Sequence, residues 1–520
     1  MTDQAGSGRL AELTIALSLA TDLGTGQPME QGLRTCWLSL AVSDALGMDA
    51  AARSCVFYVA LLRFLGCTSD ASETAVLAGG DEVAFNAAMA PILMAAPGEA
   101  MRHFIRHLAE DLPARRRAGR VVRALTDPGM DRRSSSGHCE VAARLASRIG
   151  LDDSVCEGLA HAFERWDGKG YPAGLAGDEV PLSVRIVAAA RDAELWASRA
   201  GWKAAAEVLS RRRGHGYDPG VVDALVGDGE RWLAEIGDDP YVRVLNAEPA
   251  PVRSIAADRL DVALGAVADF TDLKSSWFRG HSTGVADLAV AAAQAAGLSA
   301  DDATAVGRAA LVHDVGQVGI PSGIWDRPGP LSAEQWERVR LHPYLSERVL
   351  RRCTLLAPFA ELAARHHERA DGSGYHRGVA GNQLDLGSRV LAAADAYHSM
   401  TEVRPHRPAL SQAAAASALL DEAAAGRFGR REVDAVLDAA GQSVRPTTVA
   451  RASHPAGLTD REVEVLRLIA RGRANKQVAA TLGISPKTVG HHVEHIYVKA
   501  GVTTRSGATL FAMEHGLLSL

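Results

Sequence analysis

Aromatic residues and cysteines are scarce in this chain, and long apolar runs are missing. Aromatic residues make up only 5% of the 520 residues, and alanine is abundant, a composition that favours tightly packed helices over β-sandwiches. The six cysteines include no CxxC pair, which argues against a disulfide scaffold and against a thiolate zinc site. No run of about 18 uninterrupted apolar residues occurs, so no membrane-spanning segment is predicted.

The N-terminal segment MTDQAGSGRL is polar and lacks a signal-peptide pattern, so we expect a reducing, cytoplasmic setting. A length of 520 residues exceeds what one core supports and predicts several domains. Hydrophobic residues (47%) and charged residues (23%) are balanced as in a globular protein, which excludes a wholly disordered chain. The formal net charge of −6 argues against a chain coated in nucleic acid, although a small basic module is compatible with that average.

The chain contains an internal duplication. The segment ERWDGKGYPAGLAGDEV, which starts at Glu164, aligns without a gap with ERADGSGYHRGVAGNQL, which starts at Glu368, at an offset of 204. Both copies contain the loop pattern D-G-x-G-Y and then a run of three alanines. We therefore predict two copies of one helical domain, because this period is far too long for a solenoid.

Proline-containing seams mark the predicted domain boundaries. One seam is AEPAPVRS at residues 247–254, and the other is GQSVRPTTVARASHPAG at residues 441–457. The predicted fold class is all-α. Its expected parts are a first repeat (8–246), a second repeat (255–440), a linker (441–456) and a small C-terminal module (457–520).

The second repeat concentrates histidine and aspartate in a helical context. His281 opens an amphipathic pattern, His313 and Asp314 end an apolar one, and Asp395 interrupts the run VLAAADAY. A lone histidine on an apolar face is usually an ordinary core residue. Five histidines and two aspartates together are different, because burying so many polar groups without a shared partner is costly. Imidazoles and carboxylates from several helices suit one first-row metal or a pair, and an aspartate between two cations can bridge them.

These motifs resemble those of the HD-GYP domain, a subgroup of the HD phosphohydrolase superfamily. The matching features are His281-Ser282, the H-D-x-G pattern at residues 313–316, His342-Pro343, HHERADGSGY and Asp395. The resemblance implies an all-helical fold, bound iron or manganese, and hydrolysis of cyclic di-GMP or a related cyclic dinucleotide. The metal ligands that it implies are His281, His313, Asp314, His342, His366, His367 and Asp395.

The second repeat departs from the family pattern at three places. Gln317 stands where the family usually has a lysine that contacts phosphate, and His376 replaces the proline of the G-Y-P signature. The extra glutamate of three-metal members would fall near Trp277, so two divalent metals are predicted. The resemblance makes Asp314 and Gln317 the catalytic candidates. It also implies substrate contacts for Gln317, Tyr375, Arg404 and Arg407, with a solvated surface loop as the alternative for the two arginines.

The first repeat keeps the glycine-rich loop and loses the ligands. At the aligned positions it has residues that provide no comparable ligand set: Gln31, Arg63, Phe64, Ala162, Phe163 and Arg191. Only His138 is a histidine aligned with a ligand candidate of the second copy, His342. We predict that this repeat forms no such metal site. It either senses a ligand or only packs on its partner repeat.

The C-terminal module predicts two helices joined by a glycine-containing turn. Thr459 and Glu462 form a capping-box pattern, and Ser485 precedes a second helix. The motifs L-T-x-R-E-x-E-V-L, I-S-x-x-T-V-x-x-H and K-x-G-V-x-x-R resemble the LuxR-type DNA-binding domain, whose second helix enters the major groove. The module carries a net charge of +3. The DNA-contact candidates are Lys476, Lys487, Thr488, His491, His492 and Arg505, and an ordinary solvated surface is the alternative for the basic ones.

The leading interpretation is a cytoplasmic transcriptional regulator, acting as a homodimer on double-stranded DNA, coupled to a metal-dependent cyclic-dinucleotide phosphodiesterase. The alternative is a DNA-binding protein gated by a nucleotide or stabilised by metal, without turnover. Gln317 and His376 favour the alternative, and the complete ligand set favours the enzyme.

Overall fold

Alanine-rich helices follow one another along the chain, and the all-α prediction is confirmed. The computed structural model describes residues 8–95, 97–108, 114–125, 129–442 and 454–518. Within these residues the only sheet is a two-stranded antiparallel pair, in which Gly8–Arg9 faces Ser254–Ile255. No helix in this part of the chain combines the length and apolarity that crossing a bilayer requires.

The first repeat contains thirteen helices among its described residues. They are Leu10–Gly24, Gln31–Ala45, Ala50–Leu62, Ala71–Ala78, Glu82–Met89, Pro97–His107, Ala114–Leu125, Met130–Arg148, Asp153–Ala160, Leu182–Ala200, Trp202–Arg212, Pro219–Glu235 and Pro240–Asn246. The last helix ends where the proline-containing seam was predicted to interrupt the helical pattern.

The second repeat has a similar series of helices. They are Leu260–Asp272, His281–Ala295, Ala300–Val312, Ser322–Trp325, Ala333–Arg340, His342–Arg351, Ala357–Ala364, Leu386–Thr401, Gln412–Ala424 and Arg430–Ala439. Short 3₁₀ turns occur at Ala90–Ile92, Gly177–Glu179, Ala257–Arg259, Val315–Gly319, Gly381–Gln383 and Pro455–Gly457.

The helix starts show where the two repeats correspond. Helices begin at residues 10, 31 and 50 in the first repeat and at 260, 281 and 300 in the second, a constant offset of 250. The helices that begin at 153 and 182 correspond to those that begin at 357 and 386, both with an offset of 204. The first repeat is therefore longer by 46 residues in between, a region that contains its helices from Ala71 to Leu125.

The chain divides into two compact units. One comprises Met1–Ala263 with the short segments Pro321–Gly323 and Arg352–Leu355, and the other comprises the remaining residues through Leu520. The strand at Ser254–Ile255 pairs with the start of the first repeat and so belongs to the first unit. The finer boundaries at 246, 255, 440 and 457 stay a prediction.

A left-handed glycine and a buried carboxyl group fix the start of the helix that carries His281. Gly280 adopts a left-handed conformation (φ 81°), which turns the chain into the helix. The backbone amide and the hydroxyl of Ser282 both donate to Asp272, at 2.9 and 2.7 Å. This carboxyl thereby supplies an acceptor for the unpaired amides of the first turn and holds His281 on the buried side.

The glycine of the H-D-x-G pattern is required by close packing. A Cβ on Gly316 would lie 2.2 Å from the carbonyl oxygen of His342. The amide of Gly316 also donates to the Ser346 hydroxyl at 2.9 Å. The turn after Asp314 is thus pressed against the first turn of the helix that starts at His342, which brings both ligand candidates together.

Candidate metal centre

Three histidines of the second repeat are oriented in the same way. The Nδ1 atoms of His313, His342 and His366 each lie 2.5–2.6 Å from a backbone carbonyl oxygen three residues earlier. A carbonyl only accepts, so Nδ1 carries the proton and donates it. The lone pair of Nε2 is then left to face the centre, the tautomer that a metal-ligating histidine needs.

The carboxylate of Asp314 divides the centre into two parts. Its Oδ1 lies 3.2 Å from His342 Nε2 and 3.4 Å from His366 Nε2. Its Oδ2 lies 3.4 Å from His313 Nε2 and 3.9 Å from His281 Nε2. One carboxylate placed between two sets of imidazoles is the arrangement that bridges a pair of metals.

Asp395 also touches both parts of the centre. Its Oδ1 lies 3.2 Å from His281 Nε2, and its Oδ2 lies 3.7 Å from His367 Nδ1. Ligand atoms lie within 4.8 Å of one another in each of two sets. One set is His342, His366 and His367, and the other is His281, His313 and Asp395. All seven predicted ligands therefore converge.

The centre contains polar atoms that the protein leaves unpaired. His313 Nε2 and Asp314 Oδ1 are buried and make no hydrogen bond to any described residue. A buried polar atom without a partner is costly, and cations bound in the two parts of the centre would satisfy both atoms. The donor set of imidazoles and carboxylates suits first-row divalent metals, so the residues present fit such ions.

Charges inside the centre oppose the effect of burial on the pKa values of its carboxylates. Burial tends to raise the pKa of Asp314 and Asp395, but the neighbouring histidines outweigh it and hold both pKa values below the usual range. Burial lowers the pKa of His313 to about 4, so its ring is neutral at pH 7. Ionised carboxylates and a neutral imidazole are the forms that bind metal.

Glu402 and His398 are two residues of the centre that sequence analysis missed. Glu402 Oε2 lies 2.9 Å from His281 Nδ1, which can donate to it. His281, His398 and Glu402 also offer ligand atoms within 4.8 Å of one another. The missed signal is helical spacing, because residues 395, 398 and 402 recur at i, i+3 and i+7 on one face.

Gln317 and Tyr375, two of the predicted substrate-contact residues, lie beside the ligands. Gln317 is only 1% exposed, and its Nε2 makes no hydrogen bond to a described residue. The Tyr375 ring packs on His367 with ring centroids 4.6 Å apart. Tyr375 thereby covers one side of the centre.

The two arginines predicted to contact substrate are engaged within the protein. Arg404 donates to Glu402 at 2.7 Å, and its guanidinium lies 4.7 Å from the centroid of the Phe278 ring. Arg407 donates to the carbonyl oxygens of Ser399 (2.5 Å) and Met400 (3.1 Å) at the end of a helix. Their phosphate contacts stay a prediction.

The model of the HD domain family matches residues 128–221 and 265–431, which together make up half of the chain. The chain belongs to the HD domain family. A second model, "Bacterial regulatory proteins, luxR family", matches residues 456–512. Both resemblances found in the sequence are thereby confirmed.

Curated relatives of this HD protein are cyclic-dinucleotide phosphodiesterases. The 3'3'-cGAMP-specific phosphodiesterase 3 of Vibrio cholerae is 28% identical over 410 residues, which cover 77% of this chain and 88% of the relative. A cyclic di-GMP phosphodiesterase of Thermotoga maritima is 33% identical over 146 residues, 28% of this chain and 39% of the relative. The crystal structure of a cyclic GMP-AMP specific phosphodiesterase of V. cholerae superposes with a TM-score of 0.59 and 23% identity, covering 85% of this chain and 99% of that one. The last likeness shows a shared fold.

The first HD repeat fills the aligned positions with a different set of contacts. His138 Nε2 lies 2.9 Å from the backbone carbonyl oxygen of Arg63, which leaves this ring without the ligand geometry seen in the second repeat. Arg191 donates to Asp192 at 2.6 Å, and Arg212 donates to the same carboxylate at 3.0 Å. Among the described residues, every group of three or more side chains that could hold a metal lies between His281 and Glu402.

The luxR-family module forms the predicted pair of helices. Its helices are Asp460–Ala470, Asn475–Leu482, Pro486–Ala500 and Arg505–Glu514. The capping box of Thr459 with Glu462 and the cap at Ser485 are both present. Val489 is fully buried and belongs to the hydrophobic core of the module.

The candidate DNA contacts divide by exposure. Lys476, Lys487, Thr488 and His491 are exposed, and His492 is half-buried. Arg505 donates to the carbonyl oxygen of Arg473 (2.8 Å) and to Asn475 Oδ1 (3.2 Å), so it ties two helices of the module together.

Proposed function

We propose that the second HD repeat is a metal-dependent phosphodiesterase that hydrolyses a cyclic dinucleotide. The observation that carries this proposal is the carboxylate of Asp314, whose two oxygens face separate pairs of histidines. The seven proposed ligands are His281, His313, Asp314, His342, His366, His367 and Asp395.

Two divalent transition metals, iron or manganese, would be held by this donor set. When bound, such metals lower the pKa of a water to near neutrality and offset charge that develops on the phosphodiester. Asp314 and Asp395 stay ionised because the surrounding imidazoles hold their pKa values low. The backbone carbonyls behind His313, His342 and His366 accept from Nδ1 and so orient each Nε2 toward the centre.

A guanine-containing cyclic dinucleotide is the proposed substrate. The support is the printed activity of the relatives, one of which aligns with 77% of this chain. Tyr375, packed on His367, is proposed to contact a base or ribose, and Gln317 to donate its unpaired amide to a phosphate oxygen. Arg404 and Arg407 are proposed to attract the substrate charge from the rim.

The C-terminal module is proposed to make the protein a cytoplasmic transcriptional regulator that binds double-stranded DNA as a homodimer. Lys476, Lys487 and Arg505 would contact phosphates, and Thr488, His491 and His492 would face base edges or the backbone. A net charge of +3 supports weak binding by one module, and two modules on a two-fold symmetric site would add.

A second candidate function is nucleotide sensing without turnover. Gln317 favours it, because this neutral side chain supplies no charge to a phosphate. In that case the HD centre would hold metal and bind a cyclic dinucleotide, and the bound state would set DNA affinity.

One combined experiment separates these functions. Purified full-length protein is analysed for metal and then incubated with 3'3'-cGAMP, cyclic di-GMP and a linear control dinucleotide. Product formation that requires the metal supports the enzyme, and tight binding without product supports the sensor. DNA footprinting in each state tests the regulator. A protein that protects no DNA in any metal or nucleotide state would contradict that part of the proposal.

A further inference from the structure

The first HD repeat encloses a small cavity where the second repeat places its ligands. The cavity volume is about 20 Å³. Its walls include four of the seven residues that occupy the aligned ligand positions, namely Gln31, Arg63, Phe64 and Arg191. The place of the metal centre has therefore become a small cavity whose walls include two arginines and one aspartate, Asp22.

Arg63 is the least compensated charge of this pocket. The residue is 2% exposed, and its Nε and Nη1 atoms make no hydrogen bond to a described residue. No carboxylate of the described chain forms an ion pair with it. Its guanidinium carbon lies 5.3 Å from the Phe163 ring centroid and 5.9 Å from that of Phe64, contacts that offset only part of the cost of burying a charge.

Arg191 is partly neutralised and still offers a donor. Its Nη1 donates to Asp192 and to the Ala90 carbonyl oxygen, both at 2.6 Å. Its Nε is buried without a hydrogen-bond partner. Asp192 is shared with Arg212, so this single carboxylate already faces two guanidinium groups.

Asp22 lines the same cavity, and neither it nor Glu194 forms an ion pair with Arg63 among the described residues. Burial raises the pKa of Asp22 and of Glu194, which favours their neutral forms. Burial and the charge of Arg191 lower the pKa of Arg63 to about 10, which still leaves it cationic at neutral pH. The pocket thus has a surplus of positive charge and of hydrogen-bond donors.

We propose that this cavity binds one small monatomic anion of the halide class, held by Arg63 and by Arg191 Nε. Ser18, whose buried hydroxyl oxygen has no hydrogen-bond partner, lines the same cavity and supplies a third donor. A volume of about 20 Å³ has room for a particle close to the size of water and is too small for a nucleotide. The first repeat has in this way exchanged a cation site for an anion site.

The test is chloride NMR line broadening with the full-length protein. Wild type should broaden the chloride signal, Arg63→Met should lose that contribution, and Arg211→Met, which removes an exposed arginine of the same repeat, should retain it. Bromide should compete and sulfate should not. Equal broadening by wild type and Arg63→Met, or equal competition by sulfate, would overturn the proposal.

Arg63→Met is expected to fold, because an apolar chain of similar length replaces an unpaired buried charge. If that variant does not fold, anomalous scattering from bromide-soaked crystals of the wild-type protein decides. A bromide peak between Arg63 and Arg191 supports the proposal. A cavity that holds only water contradicts it.

Discussion

The two HD repeats share a loop and differ at their centres. In the first repeat, Glu164 is buried and accepts hydrogen bonds from the amides of residues 173–175 at 2.6–3.1 Å. In the second, Glu368 is buried and accepts from the amides of Arg377 (2.8 Å) and Val379 (2.9 Å). The glycine-rich loop is thus stabilised by a glutamate beneath it, which explains why it persists where the ligands are lost.

A second shared feature is the close approach at one glycine. A Cβ on Gly170 would lie 2.3 Å from the amide nitrogen of Arg165, and a Cβ on Gly374 would lie 2.5 Å from that of Arg369. Any side chain would force the loop open in either repeat. The G-Y signature therefore reports the loop conformation, and the ligand residues alone distinguish a metal-competent centre.

The largest effect is expected from Asp314→Ala. Loss of the carboxylate between the two sets of histidines should remove most of the metal, and any phosphodiesterase activity should fall by at least about 100-fold. Elemental analysis and a hydrolysis assay measure both, with Asp301→Ala, a change at an exposed helix position, as control. Unchanged metal content in Asp314→Ala would contradict the proposal that the second repeat differs from the first by a metal centre built around Asp314.

Glu402→Gln should weaken metal binding by about 10- to 100-fold, because Glu402 orients the His281 ring from behind. Burial opposes the shift, but Glu402 and Asp395 raise the pKa of His281 in the metal-free protein. Metal must displace that proton, so affinity should rise with pH, and this rise should move to lower pH in Glu402→Gln. Metal titrations at several pH values measure the effect, and the exposed Glu337→Gln is the control. An unchanged pH profile would show that Glu402 does not act through His281.

The double change Arg63→His and Phe64→Asp tests whether these two residues are enough to give the first repeat a metal-binding centre. Metal content should stay at about two ions per chain, because Gln31, Ala162 and Phe163 still leave the site without ligands. Elemental analysis of the full-length variant beside wild type is the measurement. A third stoichiometric ion that depends on the two new residues would show that the remaining differences between the repeats matter less than proposed.

A moderate gain of activity is expected from Gln317→Lys. A cation near the scissile phosphate should raise turnover by about 10-fold if the second repeat is an enzyme. Steady-state kinetics on both cyclic dinucleotides provide the measurement, and Gln317→Met, which adds no charge, should not increase the rate. If the lysine variant retains its metal and stays inert, the sensor function is favoured over the enzyme.

Much of this organisation follows from local sequence. The periodic spacing of apolar residues predicts the helix at His281, and the capping residues Thr459 and Ser485 mark helix starts that the structure contains. The offset of 204 identifies the duplication, because side chains in equivalent positions face equivalent packing. The clustering of imidazoles and carboxylates at apolar positions predicted a metal site, because such groups need a common partner, and the family resemblance supplied the seven ligand candidates.

Only the tertiary structure shows which ligand candidates face each oxygen of Asp314 and which residues contact the ligand candidates from outside the centre. The two oxygens of Asp314 face different histidine pairs because helices distant in sequence meet at that carboxylate. Glu402 behind His281 and the unpaired donors of Arg63 depend on contacts across 121 residues and on a cavity between helices, which no local pattern encodes. Sequence determines which chemical groups are buried, whereas long-range packing determines which of their atoms meet and which stay without a partner.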